Sequence, residues 1–185
     1  MGTYSFAYAH RNLTSLQPII GQLKRHLTEL DLSNNNISDL SLLSQCPNLS
    51  VIVLNNNKIT DTSTFPLLLN LKTLWLAHNS INNIHRLLTS LEKSCPNLTD
   101  LLLLGNECCP SYLNAHTKRE YTEYRHFVLS RLSSLKVLDC QTVTDEERFN
   151  AIKFSCFTQK PRASERRRDR PLLSLPYSPL SNISS

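Results

Sequence analysis

The segment Leu27-Thr-Glu-Leu30-Asp-Leu32-Ser-Asn-Asn35-Asn-Ile37 decides the fold of this chain, because its apolar and asparagine positions recur further along the sequence. Its pattern is Leu-x-x-Leu-x-Leu-x-x-Asn-x-Leu/Ile, and the same pattern begins again at Leu49, Leu71 and Leu98. The starting positions lie 22, 22 and 27 residues apart. A nearly fixed period of this size indicates that the chain is built from repeated supersecondary units that stack on one another.

Each repeat contains two apolar residues that flank a single intervening residue, which is the spacing of a strand with one buried face. Successive side chains of a strand point to opposite faces, so both apolar residues point to the same side. These pairs are Leu30 and Leu32, Ile52 and Leu54, Leu74 and Leu76, and Leu101 and Leu103. The pattern therefore predicts an α/β leucine-rich-repeat solenoid, in which a short curved parallel sheet lines the concave side and helices or turns line the convex side.

One asparagine follows the strand of each repeat at a constant position. The chain has to turn there, and a backbone N–H or C=O group left without a partner in a buried turn would cost roughly 1–3 kcal/mol. An asparagine side chain can both donate and accept hydrogen bonds. We therefore expect a structural ladder that joins neighbouring turns and consists of Asn35, Asn57, Asn79 and Asn106.

The residues before the consensus repeats form a divergent unit of the same kind. We interpret residues 1–26 as a degenerate N-terminal capping repeat, in which Phe6 and Tyr8 occupy the inward strand positions and Arg11 stands in place of the asparagine. A divergent terminal repeat is expected because it shields the end of the shared core from water. The leucine-rich repeats themselves are assigned to residues 27–110.

After the last repeat the regular period stops and a cap begins. Residues 111–158 are expected to form a C-terminal cap that contains a helix from Thr117 to Leu132 and one more strand from Leu135 to Cys140. Thr144-Asp-Glu-Glu147 has the pattern of a capping box, with which a final helix should start.

Residues 159–185 are rich in arginine, serine and proline and have few apolar side chains to bury, so we expect a disordered tail. The stretch from Lys160 to Arg170 contains six basic and two acidic residues and therefore supplies +4 of the total net charge of +5. Such a segment can bind phosphate groups or a membrane surface, act as a nuclear signal, or stay solvated.

The six cysteines do not indicate a disulfide framework, because the repeat assigns four of them positions of its own. Cys108 falls on the last apolar position of its repeat, Cys140 falls in the predicted final strand, and Cys46 and Cys95 each begin a Cys-Pro-Asn-Leu entry to the next repeat. No apolar signal segment follows Met1, and no apolar run is long enough to cross a membrane. We therefore expect reduced thiols and an intracellular, cytoplasmic location, with peripheral organelle association or the nucleus as alternatives.

The sequence contains no arrangement of residues that predicts catalysis. Its six histidines are scattered, and with only three glycines it has no glycine-rich phosphate loop. Cys108, Cys109 and His116 lack the two-residue spacing of a typical zinc site. We therefore predict a monomeric, non-enzymatic protein with no catalytic residues, no metal, no cofactor and no small-molecule substrate.

The residues between the buried leucines should face the concave side of the sheet, and they form the candidate site. The apolar members, with Trp75 at their centre, are expected to make a patch with an acidic rim. Such patches mark sites of protein–protein interaction, and tryptophan is a frequent binding anchor. The predicted partner-binding residues are Glu29, Asp31, Val51, Val53, Thr73, Trp75, Asp100, Leu102, Leu104 and Asp139. The alternative is that loops or the tail of the chain itself cover Trp75.

The C-terminal half carries a resemblance to known proteins. The block from Tyr124 to Arg148, with Leu135-Lys-Val-Leu138-Asp139 at its centre, resembles the cap that closes intracellular leucine-rich-repeat proteins, including a spliceosomal subunit and an axonemal dynein light chain. Together with Leu103-Leu-Gly-Asn106 and Cys109-Pro110, it is similar to the leucine-rich melanocyte differentiation-associated protein family. That resemblance implies an adaptor that binds small GTPases of the Rab type, which serve lysosome-related organelles such as melanosomes.

Two other functional classes stay open on the sequence alone. The occurrence of the cap in a splicing protein and the run Arg166-Arg167-Arg168 suggest a ribonucleoprotein subunit, since cations bind phosphate. The same cap suggests an axonemal or cytoskeletal adaptor. The predicted concave face argues against nucleic acid, because it is apolar and acidic where a nucleic-acid surface should be basic.

Overall fold

A computed structural model describes residues 4–23, 26–110 and 117–158. Within these residues one sheet runs in chain order, with β1 to β6 parallel to one another and β7 antiparallel to β6. The strands are β1 (Tyr4–Ala7), β2 (Leu27–Asp31), β3 (Val51–Val53), β4 (Thr73–Trp75), β5 (Asp100–Leu102), β6 (Val137–Leu138) and β7 (Gln141–Thr142). The predicted α/β solenoid with a parallel sheet is confirmed.

The connections on the other side of the sheet differ in length and therefore in structure. They contain α1 (Gln17–Leu23), a short 3-10 helix (Ser41–Gln45) and α2 (Ile84–Ser94), and the cap adds α3 (Lys118–Arg131) and α4 (Asp145–Thr158). The longest interval between repeats supplies the residues for α2, whose first turn is capped by the Asn83 side chain and whose buried face is Leu87, Leu88 and Leu91.

The core is one continuous layer of leucine and isoleucine between the sheet and these connections. In the parallel register Leu30, Ile52, Leu74, Leu101 and Leu138 are successive partners, and each is at most 1% exposed. Because every coil adds the same side chains at the same height, each coil covers the apolar face of its neighbour. The leucines that define the repeat are therefore buried in the core and are not available to bind a partner.

The asparagines bond to the backbone of neighbouring coils. Nδ2 of Asn57 donates to the carbonyl oxygens of Leu54 at 3.1 Å and of Leu32 in the preceding coil at 3.0 Å, and its Oδ1 accepts from the N–H of Ile37 at 3.0 Å. Asn79 and Asn106 repeat this pattern one and two coils later. Asn35 bonds to the first coil through Tyr8, Arg11 and Leu13. The four side chains thus tie each turn to the one before it.

The residue before each ladder asparagine has a positive φ. The values are 56° at Asn34, 55° at Asn56, 53° at His78 and 77° at Gly105. This left-handed conformation is tolerated by asparagine and is free of steric cost only for glycine. At the last of these positions a Cβ atom on Gly105 would lie 2.3 Å from Nδ1 of His78. Glycine at this position avoids both the steric cost of the left-handed conformation and the contact with the His78 side chain.

The chain reverses directly after β6, so Asp139 does not reach the concave face. Asp139 and Cys140 have φ values of 53° and 62°, as in a type I′ hairpin turn, and they join β6 to β7. Asp139 is only 3% exposed, and its carboxylate accepts hydrogen bonds from the N–H of Leu103 at 2.8 Å and from the hydroxyl of Tyr124 at 3.1 Å. The prediction of an exposed Asp139 is wrong. Its side chain points inward and accepts a hydrogen bond from the backbone just after β5, as the asparagine side chains do in earlier coils.

Two cysteine assignments also have to be corrected. Cys140 lies exposed in the hairpin turn and not in a strand. Cys109, not Cys108, fills the last apolar position of the fourth repeat, because the turn contains one more residue than the preceding one. In the third repeat the backbone N–H that donates to the preceding coil belongs to Ser80, one residue after Asn79. In the fourth repeat the equivalent N–H belongs to Cys108, two residues after Asn106. Burial raises the pKa of Cys108 to about 12, so its thiol is protonated at neutral pH.

A buried arginine joins the cap to the last coil. Arg125 of α3 is 3% exposed, and its Nη1 donates to the carbonyl oxygen of Leu138 at 2.8 Å. Its Nε and Nη2 donate to the two carboxylate oxygens of Glu147 in α4 at 2.5 and 3.1 Å. Glu147 also accepts from the N–H of Thr144 in the capping box predicted from the sequence. The expected disordered tail lies outside the described residues.

The buried carboxylate of Asp139 gives a pH-dependent prediction. Burial raises its pKa, while hydrogen bonds from Leu103, Tyr124 and Cys109 and the positive charge of Arg125 act in the opposite direction. The folded state therefore holds this proton more tightly than the unfolded state, and the contribution of Asp139 to the free energy of unfolding falls as pH rises from the ordinary value of 3.8 through the raised folded pKa.

We expect Asp139→Asn to remove this loss of stability, since an amide can accept from Leu103 without carrying a charge. The free energy of unfolding of the variant, measured in urea by the fluorescence of the single tryptophan, should increase relative to the native chain as pH is raised from 4 to 8. Two parallel stability curves over this range would contradict the assignment.

Candidate protein-binding surface

The concave face carries two rows of side chains that run across β2 to β5. One row consists of Glu29, Val51, Thr73 and Asp100, and the other of Asp31, Val53, Trp75 and Leu102; within each row, neighbours are direct partners in the parallel register. These side chains are half-buried except Leu102, while the residues between them in each strand point into the core. We call these two rows the concave face.

The centre of the concave face is apolar and its two sides are acidic. Val51 and Val53 of β3 lie beside Trp75 of β4, where they form the apolar centre. Glu29 and Asp31 lie on β2, one strand before this centre, and Asp100 lies on β5, one strand after it. The order of charges therefore follows the order of the strands, with carboxylates on both sides of an apolar strip.

Asp31 and Asp100 accept hydrogen bonds from neighbouring polar groups. Oδ1 of Asp31 accepts hydrogen bonds from the N–H of Ser33 at 2.9 Å and from its Oγ at 2.5 Å. Partial burial raises the pKa of Asp100, and a hydrogen bond from Trp75 acts in the opposite direction. A carboxylate that has lost part of its hydration gains more from a nearby cation than a fully hydrated one does. The surface is thus chemically suited to positively charged ligands.

The structure changes the membership of the predicted patch. Leu102 lies in the expected register beside Trp75, but only 8% of it is exposed, so it supports the patch from below and offers little contact area. Leu104 follows β5 and is half-buried. Asp139 is inside the protein, as described above. The alternating pattern gives the face to which a side chain belongs, but it does not give how much of that side chain its neighbours cover.

Two cations near this face were missed in the sequence analysis. Lys72 and Lys136 are exposed and directly precede Thr73 and Val137, so they lie where β4 and β6 begin and outside the two rows. Their position before the strand in the aligned repeats could have revealed them. Because these two lysines lie just outside the rows, the negative charge is limited to the rows themselves.

The convex side offers a second, less favourable surface. A depression of about 500 Å³ lies along α2 and is lined by Asn83, His85, Arg86, Thr89, Ser90 and Lys93. It is wide open, and one of its cations is already neutralised, since Nη1 of Arg86 lies 3.6 Å from the carboxylate of Asp61. Because α2 and its N-cap residue Asn83 supply the whole lining, the depression does not bring together groups from separate repeats as the concave face does.

The described residues, 4–23, 26–110 and 117–158, contain neither a cluster of metal ligands nor a membrane-spanning helix. No group of three or more histidine, cysteine, aspartate or glutamate side chains there could hold a metal ion. Among the same residues, no helix has both the length and the apolar character needed to cross a bilayer.

Comparison with known sequences agrees with the repeat geometry. A sequence profile described as "Leucine Rich repeats (2 copies)" matches residues 25–67. The leucine-rich melanocyte differentiation-associated protein of Homo sapiens is 39% identical over 144 residues, which cover 76% of this chain and 62% of that protein. The chain has the leucine-rich-repeat fold, and its sequence is similar to that of this relative. The resemblance to the melanocyte differentiation-associated family is confirmed by this identity, although the chain spans less than two thirds of that relative's length.

Two further proteins are similar to this chain over a shorter stretch or at lower identity. Protein tilB of Drosophila melanogaster is 37% identical over 70 residues, which are 37% of this chain and 15% of that protein. The solved structure of the Drosophila melanogaster SNF/U2A' complex contains a chain that is similar with a TM-score of 0.62 and 20% identity, and the match covers 80% of this chain and 79% of that one. At that identity the likeness shows the fold alone.

Proposed function

We propose that this leucine-rich-repeat protein is a non-enzymatic adaptor that captures a protein partner on its concave face. The observation that carries the proposal is a half-buried tryptophan, Trp75, which lies beside Val53 on the concave face, with carboxylates on the strand before them and on the strand after them. Stable protein interfaces have an apolar core and a polar rim. The concave face has both within two rows of side chains.

The size of the expected contribution can be stated from the residue types. Tryptophan is enriched among interface residues whose truncation costs at least about 2 kcal/mol of binding free energy. A charged residue in place of Trp75 would also be desolvated without a partner when the complex forms, and this would lower the binding free energy further. A single substitution at Trp75 should therefore reduce affinity by at least about 30-fold, since 1.4 kcal/mol corresponds to a factor of ten.

Replacing Trp75 by glutamate should abolish partner capture and leave the fold intact, because the side chain points away from the core. Affinity capture from cell extract with the full chain should recover fewer partner proteins with Trp75→Glu. Leu67→Glu is the matched control, since Leu67 is 61% exposed and lies outside the concave face. Equal recovery by the native chain and Trp75→Glu, with circular dichroism showing that both are folded, would refute the proposal.

At a finer level, we propose that the partner is a small GTPase of the Rab type and that the adaptor works in the cytoplasm at lysosome-related organelles. The similarity to the leucine-rich melanocyte differentiation-associated protein supports only the part of this proposal that concerns melanosomes, which are lysosome-related organelles. An effector of this kind should bind the GTP form in preference to the GDP form. Pull-downs with a panel of Rab proteins loaded with a non-hydrolysable GTP analogue or with GDP should show at least a tenfold preference; equal or absent binding across the panel would contradict it.

The concave face gives no support to the ribonucleoprotein alternative. Its charged residues are Glu29, Asp31 and Asp100, and phosphate would be repelled by them. Salt-dependent retention of RNA by the full chain, lost when the tail cations are replaced by glutamine, would favour that alternative over the adaptor.

A further inference from the structure

We propose that the concave face receives a short amphipathic helix from the partner, with an apolar stripe flanked on both sides by lysine or arginine. The helix would lie over β3 and β4 with its axis along the strands. This inference rests on the proposed adaptor function and specifies the chemistry of the partner.

The distance between the acidic residues of β2 and those of β5 matches the width of a helix. Neighbouring strands are about 4.8 Å apart, so β2 and β5 are separated by about 14 Å. An α-helix with its side chains is about 10–12 Å across. A helix placed over the middle two strands would therefore have Glu29 and Asp31 along one flank and Asp100 along the other. The inward curvature of a repeat sheet brings both flanks towards it.

The length of the strands limits how much of the helix can be in contact. β3, β4 and β5 have three residues each, which corresponds to about 10 Å along the strand direction. A helix advances about 5.4 Å per turn, so about two turns fit. Two turns present apolar residues at positions i, i+3 or i+4, and i+7 on one side. Those residues would pack on Val51, Val53 and Trp75.

The charges on the concave face determine the sign of the charge that the partner helix must carry on its two flanks. The two rows contain three carboxylates and no cation, and Lys72 and Lys136 lie outside them. The Asp31 carboxylate is fixed by Ser33, so it is positioned before a ligand arrives. Acidic flanks on the partner would be repelled from both sides, which selects basic ones.

Two designed peptides test this chemistry on the full chain. Both are 14-residue helices fixed by a side-chain lactam, with the same leucine stripe; one carries lysine on both flanks and the other carries glutamate. Binding can be followed by the fluorescence of Trp75, the single tryptophan of the chain. We expect the lysine peptide to bind at least tenfold more tightly than the glutamate peptide in low salt, and the difference to shrink as salt is raised.

A charge-swapped variant makes the test specific for the face. In Glu29→Lys/Asp100→Lys the preference between the two peptides should reverse. Glu107→Lys/Glu146→Lys is the matched control, because it changes the net charge equally at exposed positions outside the concave face and should keep the preference for lysine. Failure of both peptides to bind, equal binding of both, or an unreversed preference in the charge-swapped variant would overturn the inference.

Other occupants of the face would give different results. If the basic tail of the chain fills the face, the lysine peptide will bind only after the tail cations are replaced by glutamine. If a second copy fills it, the native chain will sediment as a dimer that the charge swap dissociates. Either result overturns the inference. Partner capture that depends on Trp75 but not on Glu29 and Asp100 would refute the basic helix and leave the adaptor function standing, whereas capture independent of Trp75 would refute both.

Discussion

Replacing Asn106 by alanine should lower the free energy of unfolding by at least about 3 kcal/mol. The side chain is 1% exposed and makes three hydrogen bonds, to the carbonyl oxygens of Leu76 and Leu103 and from the N–H of Ile81. Alanine leaves the N–H of Ile81 buried without a partner, which costs roughly 1–3 kcal/mol. It also removes one of the two hydrogen bonds at each of the carbonyl oxygens of Leu76 and Leu103, which keep their bonds from Asn79 and from the backbone N–H of residue 106, and each lost bond costs about 1 kcal/mol more. Equilibrium unfolding in urea, followed by tryptophan fluorescence, measures the difference.

Asn82→Ala provides the control for this substitution. Asn82 is exposed and lies in the same turn region of the preceding repeat, so its replacement should change the free energy of unfolding by less than about 0.5 kcal/mol. If Asn106→Ala were as stable as Asn82→Ala, the asparagine ladder would not be what holds the coils together.

Replacing Glu147 by alanine should destabilise the protein by about 3 kcal/mol. This change leaves the buried guanidinium of Arg125 without its countercharge, and removal of one partner of a buried ion pair costs about 3–5 kcal/mol. The lower end applies because the side chain of Glu147 is 24% exposed, which lets water approach the pair. The capping-box bond to the N–H of Thr144 is lost as well.

The effect of Glu147→Ala should depend on pH. Burial alone would raise the pKa of Glu147, but the hydrogen bonds from Arg125 and Thr144 outweigh burial and hold the pKa below its ordinary value of 4.5. The stabilisation is therefore complete above pH 4.5 and is lost as pH falls through the lowered folded pKa. Glu146→Ala, at an exposed neighbouring position, should have a small effect at every pH. A destabilisation by Glu147→Ala that is below about 1 kcal/mol at pH 7 would contradict the account.

Features that repeat along the sequence were predictable, because the same physical requirement acts in every coil. The inward leucines recur with the strands, and Asn57, Asn79 and Asn106 recur where the backbone turns inside the core. The rows of the concave face followed from the same register. One repeat contains too little information for these assignments, but four aligned repeats define both the buried and the exposed positions.

Features that occur once were not predictable from the repeat. The hairpin after β6 places Asp139 in the core, where a carboxylate takes the role that an amide has elsewhere. One additional residue in the fourth turn exchanges the positions of Cys108 and Cys109. Both departures occur where the solenoid meets its cap. There the cap has to supply hydrogen-bond partners for the backbone of the last coil, and the repeat pattern does not contain them.

The concave face therefore gains its chemistry from positions that the fold leaves free. Glu29 and Asp31 lie between the leucines of the segment that defines the repeat, and Trp75 occupies the position of Asp31 two coils later. These variable residues can change without loss of packing, so their combination of an apolar centre with acidic flanks is best explained by a partner.

Site-specific photo-cross-linking tests that claim most directly. The photo-reactive residue p-benzoylphenylalanine is introduced in place of Val53 on the concave face or Lys93 on the convex face of α2, and each chain is irradiated in cell extract. We expect cross-links to a protein partner from position 53, lost in the Trp75→Glu background, and none to that partner from position 93. Cross-links to the same partner from position 93 but not from position 53 would contradict the assignment of the concave face as the docking surface.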